Sequence, residues 1–580
     1  MRKLHHQTDI CIVGGGISGM AAAIAAARTG AQVILIHDRP VLGGNASSEI
    51  RMHICGADRH GSIPYVRETG ILEEIRLENA YKNPQGSYSE WDRVLWETVW
   101  QEPNIKLLLN CSCYDALTEN NVIKRVTAWQ LTTETQHTVE ATIFLDCSGD
   151  GILAPLSGAE FRLGREARSE FNESLAPEKA DSQTMGCTCL FLAKRYDTPQ
   201  PFTPPQWAYK YPTEESMGVA RGHMSYGKDH WMGYWWIEVG GEDHPIYDFE
   251  EMRDELLKMV YGVWDHIKNH GDHGAENFAL EWVQFLPGKR ESRRLIGDHL
   301  LTQGDIEAEG KFPDIVAYGG WTMDDHTPGG FRRPDLVPTH WHQAPSPYGI
   351  PYRCLYSKNI INLGFAGRNI SATHIAMSST RVMGTCAVMG QAIGTAAALA
   401  IKYNCTLREI GQNRIKELQQ ILLEDDCYLP WHKREINELT RQATLAAAVG
   451  DPEPLRDGID RPVGNDHHCW VGNINDAITY TFAQPQLVKR ARFVFDTGLE
   501  RSFSFSWLEG KTPPPLPPEL VSDFVVEALI DGEWRKIKTV ADNYQRLVYV
   551  DLNVKAEGIR FIPKKTRGVE QVKLYGFTLE

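Results

Sequence analysis

The chain has 580 residues, enough for two to four domains, and its 42% hydrophobic and 23% charged residues are those of a globular protein. A formal net charge of −15 weighs against nucleic acid as a partner. Twelve cysteines are scattered, and the close pairs Cys111/Cys113 and Cys187/Cys189 match neither zinc nor thioredoxin spacing, so they read as reduced core thiols and no metal site is expected. Met1 to Thr8 runs directly into an apolar strand, which leaves no room for a signal peptide, and no apolar run reaches membrane-spanning length. The expectation is a cytoplasmic protein with no membrane span.

Ile10 to Val13 form a short apolar run, the pattern of a strand buried on both faces. Gly14-Gly15-Gly16-Ile17-Ser18-Gly19 follows, then an alanine-rich helix to Gly30 and a second apolar run, Val33 to Ile36. Gly14 allows a tight turn, Gly16 lets the backbone approach a pyrophosphate, and Gly19 lets the helix pack on the strand. The helix N-terminus offers N–H groups and the positive end of its dipole to phosphate. The second strand delivers His37 and Asp38 where Glu is usual, and either is a candidate for the adenosine ribose. Strand, turn, helix, second strand and acid in order make this a dinucleotide-binding βαβ unit.

Arg39-Pro-Val-Leu-Gly43-Gly44-Asn45-Ala46-Ser47-Ser48-Glu49-Ile-Arg51 comes next. Two glycines followed by small polar residues let a loop run along a long cofactor, which NAD sites do not usually need and FAD sites commonly have. From Asp38 to Arg51 the sequence resembles the signature of a bacterial FAD-dependent oxidoreductase family. Glu90-Trp91-Asp92-Arg93 and the strand-to-turn run Ala141 to Gly151, with Cys147-Ser148-Gly149-Asp150, extend the resemblance. So do Pro287-Gly-Lys-Arg290-Glu291-Ser-Arg293-Arg294 and Trp321-Thr-Met-Asp324-Asp325-His326. The run Ser357 to Asn369, with Ala366-Gly367-Arg368-Asn369, ends a strand where many flavoproteins carry Ala-Gly-Asp. It leads into a small-residue helix containing Gly384 and Thr385. The resemblance implies that this closing helix points its N-terminus at the flavin N1/O2 edge, where the dipole stabilises the reduced anion.

The implied fold is α/β: a Rossmann-like FAD-binding domain of the glutathione-reductase type, residues 1–164 and 346–404, with an inserted α+β substrate domain, 165–345. A helical linker, 405–450, leads to residues 451–580, where short alternating strands predict a β-sandwich. Leu455-Arg-Asp-Gly-Ile-Asp-Arg461 followed by Cys469-Trp470-Val resembles the discoidin or galactose-binding-like jelly roll.

Hydride transfer to FAD needs a base for the departing proton, and histidine is the most accessible one near neutral pH. His374, after the last flavin strand, ranks first, then His53, then His326 beside Asp324 and Asp325. Arg51 and Arg381 are candidates to hold flavin or an anionic substrate, with an ion pair as the alternative for each. Cys55 reads as a small core residue rather than a flavin attachment point. Trp235–Trp236 reads as core or as a sugar-stacking platform. The expected function is FAD-dependent oxidation of a hydroxyl group on a small polar substrate, in the carbohydrate or glycoside class. The alternatives are glycoside cleavage by transient oxidation and elimination, and a non-enzymatic carbohydrate-binding protein with a vestigial flavin fold. The electron acceptor stays open among a quinone, a redox protein and oxygen.

Overall fold

The apolar run Ile10–Val13 ends a long strand, β1 (Arg2–Val13), that is flanked on both sides by parallel neighbours. Burial on both faces at Ile10–Val13 is why that end of the strand does not alternate and reads as a continuous hydrophobic stretch. The structure, a computed structural model, describes residues 1–222, 229–506 and 514–580. It divides into two compact units. The first comprises Met1–Ala57, Gln85–Leu418 and Ser504–Pro513, and the second Asp58–Pro84, Gln419–Phe503 and Pro514–Glu580.

In the first unit, β1 joins β2 (Val33–Ile36), β3 (Ile105–Leu108), β4 (Cys111–Glu119), β5 (Val122–Gln130) and β6 (Thr135–Asp146) in the order β3-β2-β1-β6-β5-β4. A last short strand, β7 (Leu363–Phe365), pairs in parallel with the end of β6. Strands β3, β2, β1, β6 and β7 are parallel, while β5 and β4 are antiparallel. The register Val13↔Ile36, Val13↔Asp146 and Phe365↔Asp146 brings four carboxyl ends to one edge. That edge is where an open α/β sheet binds its ligands.

Helix α1 (Ile17–Arg28) carries six alanines and one glycine among its twelve residues, and another helix crosses it closely. After α2 (His374–Thr380), helix α3 (Met383–Tyr403) brings Gly390 and Gly394 against it. A Cβ on Gly390 would lie 2.1 Å from the Ser18 carbonyl oxygen, and one on Gly394 would lie 2.2 Å from that of Ala22. Helix α3 is also long and apolar enough to cross a membrane, which corrects the expectation that no run reaches that length. Here 94% of its most apolar window is buried inside the fold.

The region inserted before β7 has short antiparallel strands. Phe191–Arg195 pairs with His230–Met232 and Phe278–Val283, and Cys187–Thr188 pairs with Glu238–Val239 and Gly288–Lys289. The helix Phe249–Asn269 turns Met252, Leu256, Val260, Val263, Trp264 and Ile267 into a core that includes Phe191, Trp231 and Trp236. Their three- and four-residue spacing is that of one helix face.

The second unit is an antiparallel β-sandwich. Its order is Trp470–Asn473, Gln571–Leu579, Ile478–Phe495, Leu547–Thr566, Val521–Ile530 and Glu533–Val540, with Thr444–Ala447 on Ile478–Phe495. Phe493, Phe495, Phe524, Phe561 and Phe577 stack through its middle. The unit begins earlier than residue 451 and also takes in Asp58–Pro84, whose helix Ile71–Lys82 adds Leu77 to the core. None of the twelve cysteines forms a disulfide, and nine of them are buried.

Candidate active site

The carboxyl edge of the first unit opens into a cavity of about 780 Å³. At one end the glycine turn forms its floor. Gly14 has φ +106°, and a Cβ there would fall 2.3 Å from the Cys147 carbonyl oxygen, so only glycine fits between β1 and β6. Gly19 keeps α1 against the same turn, since its Cβ would lie 1.8 Å from the Gly14 oxygen. Gly16 is different. It caps α1 with no side-chain hydrogen bond, and the nearest atom to a Cβ there is 3.9 Å away. This leaves the first-turn N–H groups of α1, including Ile17 and Ser18, facing open cavity.

His37 holds that turn rather than a ligand. Its Nδ1 accepts from the Gly15 N–H at 3.0 Å, and its Nε2 donates to the Val41 carbonyl at 3.0 Å. Burial lowers its pKa, with Asp38 opposing, which favours the neutral ring this pair of bonds requires. Both ring nitrogens are used, so His37 is withdrawn as a ribose ligand and Asp38 remains, its side chain 62% exposed on the cavity wall. Arg39, also on the wall, pairs through two nitrogens with Glu49 at 3.0 and 2.6 Å. Gly43 donates to the Gly15 carbonyl at 2.9 Å and so seats the Gly43–Gly44–Asn45 loop beside the turn.

The middle of the cavity is set by the turn after β6. Asp146, fully buried, accepts from the backbone of Ser148 and Leu153 and fixes the turn, although burial raises its pKa. Cys147, Gly149 and Asp150 line the wall, as do Gly367 and Arg368 after β7. Asp150 accepts from Arg368 at 2.7 Å and from Lys289 at 2.7 Å. Burial would raise its pKa, but these two cations hold it below the usual carboxylate value. Burial also pulls Lys289 below an ordinary lysine, against the pull of Asp150.

At the far end Arg381, Met383 and Cys386 come from the α2–α3 junction, opposite Trp235 and Arg290 of the inserted region. The N-terminus of α3 has no side-chain cap. Thr385 lies just behind, with a buried hydroxyl that has no partner, and the Gly384 N–H donates to the Cys55 carbonyl.

None of the three candidate histidines lines this cavity. His374 is 1% exposed, with Nδ1 2.9 Å from Glu291 and Nε2 3.0 Å from Asp325. Burial alone would lower its pKa; the two carboxylates instead raise it to about 10. The ring is therefore a cation at neutral pH and has no lone pair to act as a base. This corrects its first rank. His326 lies between Glu238 at 2.6 Å and Asp324 at 3.3 Å, and His53 lies against Cys55 with Nε2 3.3 Å from Sγ.

Arg51, taken as a flavin or substrate contact, also moves off the site. Its guanidinium lies between the rings of Tyr88 and Trp282, 4.5 and 4.2 Å away, and burial lowers its pKa. Ala46 accepts from Trp91 Nε1 at 2.7 Å, and Ser47 is buried with an unpartnered hydroxyl; both stand behind the wall. The Trp235–Trp236 pair divides in the turn between the strands His230–Met232 and Glu238–Val239. Trp236 stacks on Tyr234 in the core at 4.4 Å, while Trp235 faces the cavity. Lys289 and Arg290 were missed as site residues. The available signal was their place in Pro287-Gly-Lys-Arg, one of the motifs carrying the family resemblance.

A long groove with a backbone cradle at one end, cations in the middle and an uncapped helix at the other fits FAD. The sequence profile of FAD dependent oxidoreductases matches residues 9–422.

The chain belongs to the FAD-dependent oxidoreductase family.

FAD is its cofactor, and it is an enzyme; the reading as a vestigial flavin fold is set aside. In this member of the FAD-dependent oxidoreductases, a stretch of 42 residues is 52% identical to fumarate reductase (cytochrome) of Shewanella frigidimarina, which is 7% of this chain and 7% of that protein. Two solved structures show weaker likeness. A geranylgeranyl bacteriochlorophyll reductase-like protein of Thermoplasma acidophilum has a TM-score of 0.32 at 12% identity, over 73% of this chain and 86% of that one. A family 32 carbohydrate-binding module of Streptococcus pneumoniae EndoD has a TM-score of 0.20 at 15% identity, over 24% of this chain and 97% of the module.

Proposed function

We propose that this FAD-dependent oxidoreductase removes a hydride and a proton from a hydroxyl-bearing carbon of a small polar substrate in the carbohydrate or glycoside class. The observation that carries the reading is the composition of the wall at the α3 end. There Lys289, Arg290 and Arg381 offer hydrogen-bond donors beside the indole of Trp235. Donors converging next to an aromatic face suit a polyhydroxylated molecule.

FAD, when bound, supplies the acceptor for the hydride. The first-turn N–H groups of α1 would hold its diphosphate, Asp38 its adenosine ribose, and the N-terminus of α3 the flavin edge. Lys289 Nζ, an ammonium in its resting pair with Asp150, takes the hydroxyl proton as it passes one of its own to the Asp150 carboxylate 2.7 Å away. Burial has moved the pKa of Lys289 down, the direction that eases this transfer. Asp150 orients the amine and ends as the carboxylic acid. Trp235 stacks on the substrate ring and excludes water. His374 and His326 act as positioning residues, holding Asp325, Asp324, Glu291 and Glu238 behind the wall.

Incubation with a panel of sugars and glycosides and an artificial electron acceptor, with mass analysis of products, tests this reading. A ketone or aldehyde product lacking two hydrogens, formed only with acceptor turnover, is expected. A cleaved product with no acceptor consumed would indicate transient oxidation and elimination instead.

A further inference from the structure

Around the α3 end the wall is strongly cationic. Lys289, Arg290, Arg293, Arg368 and Arg381 share the cavity lining with Asp150 and with Glu250, which is paired with Arg253 at 2.7 Å, while Asp38 and Glu49 belong to the stretch beside the glycine turn. Lys289 and Arg368 are tied to Asp150, as described above. Arg290 and Arg381 are fixed differently, from behind and as a pair.

Arg290, with its side chain 10% exposed, donates through Nη2 to the Trp235 carbonyl at 2.7 Å and sets Nη1 3.3 Å from Glu238 Oε1. Glu238 Oε2 lies 2.6 Å from His326 Nδ1, and His326 Nε2 lies 3.3 Å from Asp324 Oδ2. Arg381, 12% exposed, donates through Nη2 to that same Asp324 oxygen at 3.1 Å and to the Asp324 carbonyl at 3.0 Å. An arc of Glu238, His326 and Asp324 therefore starts at one arginine of the cavity wall and returns at the other. Arg290 Nη1 is held by its ion pair with Glu238, and among the described residues Arg381 Nε makes no hydrogen bond; both atoms are closed to solvent, and the rest of each guanidinium lines the cavity. Thr339 completes the support by donating to Asp324 Oδ1 at 2.6 Å.

We infer that Arg290 and Arg381 form a clamp for a carboxylate carried by the substrate, so that the hydroxyl compound oxidised here is a sugar acid or related hydroxy acid. Two guanidiniums locked from behind meet the planar, forked geometry of a carboxylate with little loss of side-chain freedom. Two anchored cations on one stretch of cavity wall favour an anionic ligand over a neutral one. The diphosphate of FAD does not meet this demand, since the glycine turn and α1 provide its cradle at the other end of the groove. The inference rests on the proposed hydroxyl oxidation only for the identity of the ligand; the clamp itself rests on the arc.

The test is a titration of the purified holoenzyme, read by perturbation of the flavin absorption bands under anaerobic conditions. D-Glucuronate, its uncharged amide D-glucuronamide, and inorganic phosphate are the probes. Glucuronate is expected to bind at least about tenfold more tightly than the amide, and more tightly than phosphate. Arg290→Leu and Arg381→Leu are each expected to weaken glucuronate about tenfold or more, weaken the amide by a smaller factor and retain FAD, with Arg381→Lys recovering part of the loss. Equal affinity for acid and amide in the unmodified protein would overturn the clamp without recourse to any variant. Tighter binding of phosphate would overturn the assignment to carboxylate. Loss of FAD with unchanged glucuronate affinity would assign the arginines to the cofactor and overturn it too. Bleaching of the flavin by neutral sugars with no preference for acids would overturn the clamp and leave hydroxyl oxidation standing. Tight glucuronate binding with no bleaching by any hydroxyl compound would uphold the clamp and sink the oxidation.

Discussion

Replacing His374 by glutamine removes the cation between Glu291 and Asp325 while keeping roughly its volume and polar reach. The ring is buried, its two nitrogens lie 2.9 and 3.0 Å from the carboxylates, and its pKa is raised from 6.5 to about 10. At about 1.4 kcal/mol per pH unit, that displacement corresponds to roughly 5 kcal/mol of preference for the charged ring in the folded state. Breaking one partner out of a buried ion pair typically destabilises by about 3–5 kcal/mol, so the two lines of reasoning agree. The sign follows from the direction. A pKa raised on folding contributes stability that is fully present below about 6.5, the unfolded value, and fades as pH climbs towards 10. Urea titrations from pH 6 to pH 10 (about the span between the two pKa values), read by flavin fluorescence on release and by tryptophan emission, measure this directly. The wild-type protein is expected to lose its advantage over His374→Gln steadily across that range. Equal stability at pH 6, or parallel curves up to pH 10, would refute the cationic assignment.

Three further outcomes follow from the same structure. Gly394→Val places a side chain where even a Cβ lies 2.2 Å from the Ala22 oxygen, so α1 and α3 must separate; loss of bound FAD in the purified protein and a fall in thermal midpoint are expected. His37→Ala leaves the Gly15 N–H buried without its acceptor, a penalty of about 1–3 kcal/mol, or roughly ten- to a hundredfold weaker FAD retention measured by dialysis and reconstitution. Lys289→Met removes the proposed proton acceptor; the rate of anaerobic flavin reduction is expected to fall about a hundredfold or more, while substrate binding still perturbs the spectrum.

Much of the flavin half of the fold is legible because local pattern and tertiary role coincide there. A βαβ unit fits within some thirty residues, and its glycines, apolar strands and alanine-rich helix each announce their neighbours. The pairing of α1 with α3 shows in sequence only as small residues in both; that they meet at Gly390 and Gly394 is a fact of the fold. The catalytic ranking failed for a physical reason. His374 is neutralised as a base by Glu291 and Asp325, which lie 83 and 49 residues away along the chain. Likewise His37 reads as a ribose contact by its position after β2, and only the direction of its Nδ1 towards Gly15 shows that it serves the turn. Lys289 and Arg290 gain their meaning from Asp150 and Glu238, remote partners that no local window contains. In the second unit, alternating strands give away the β-sandwich, whereas the contribution of Asp58–Pro84 to its compact unit leaves no local trace.

The most direct measurement is the visible spectrum of the purified protein mixed anaerobically with neutral sugars, their glycosides and the corresponding acids. The flavin bands are expected to bleach on mixing with a hydroxyl compound of this set, with the acids fastest, and to return when an electron acceptor is added. A protein that holds FAD but is bleached by none of them, while being oxidised or reduced readily by substrates without a hydroxyl group, would contradict the proposed hydroxyl oxidation.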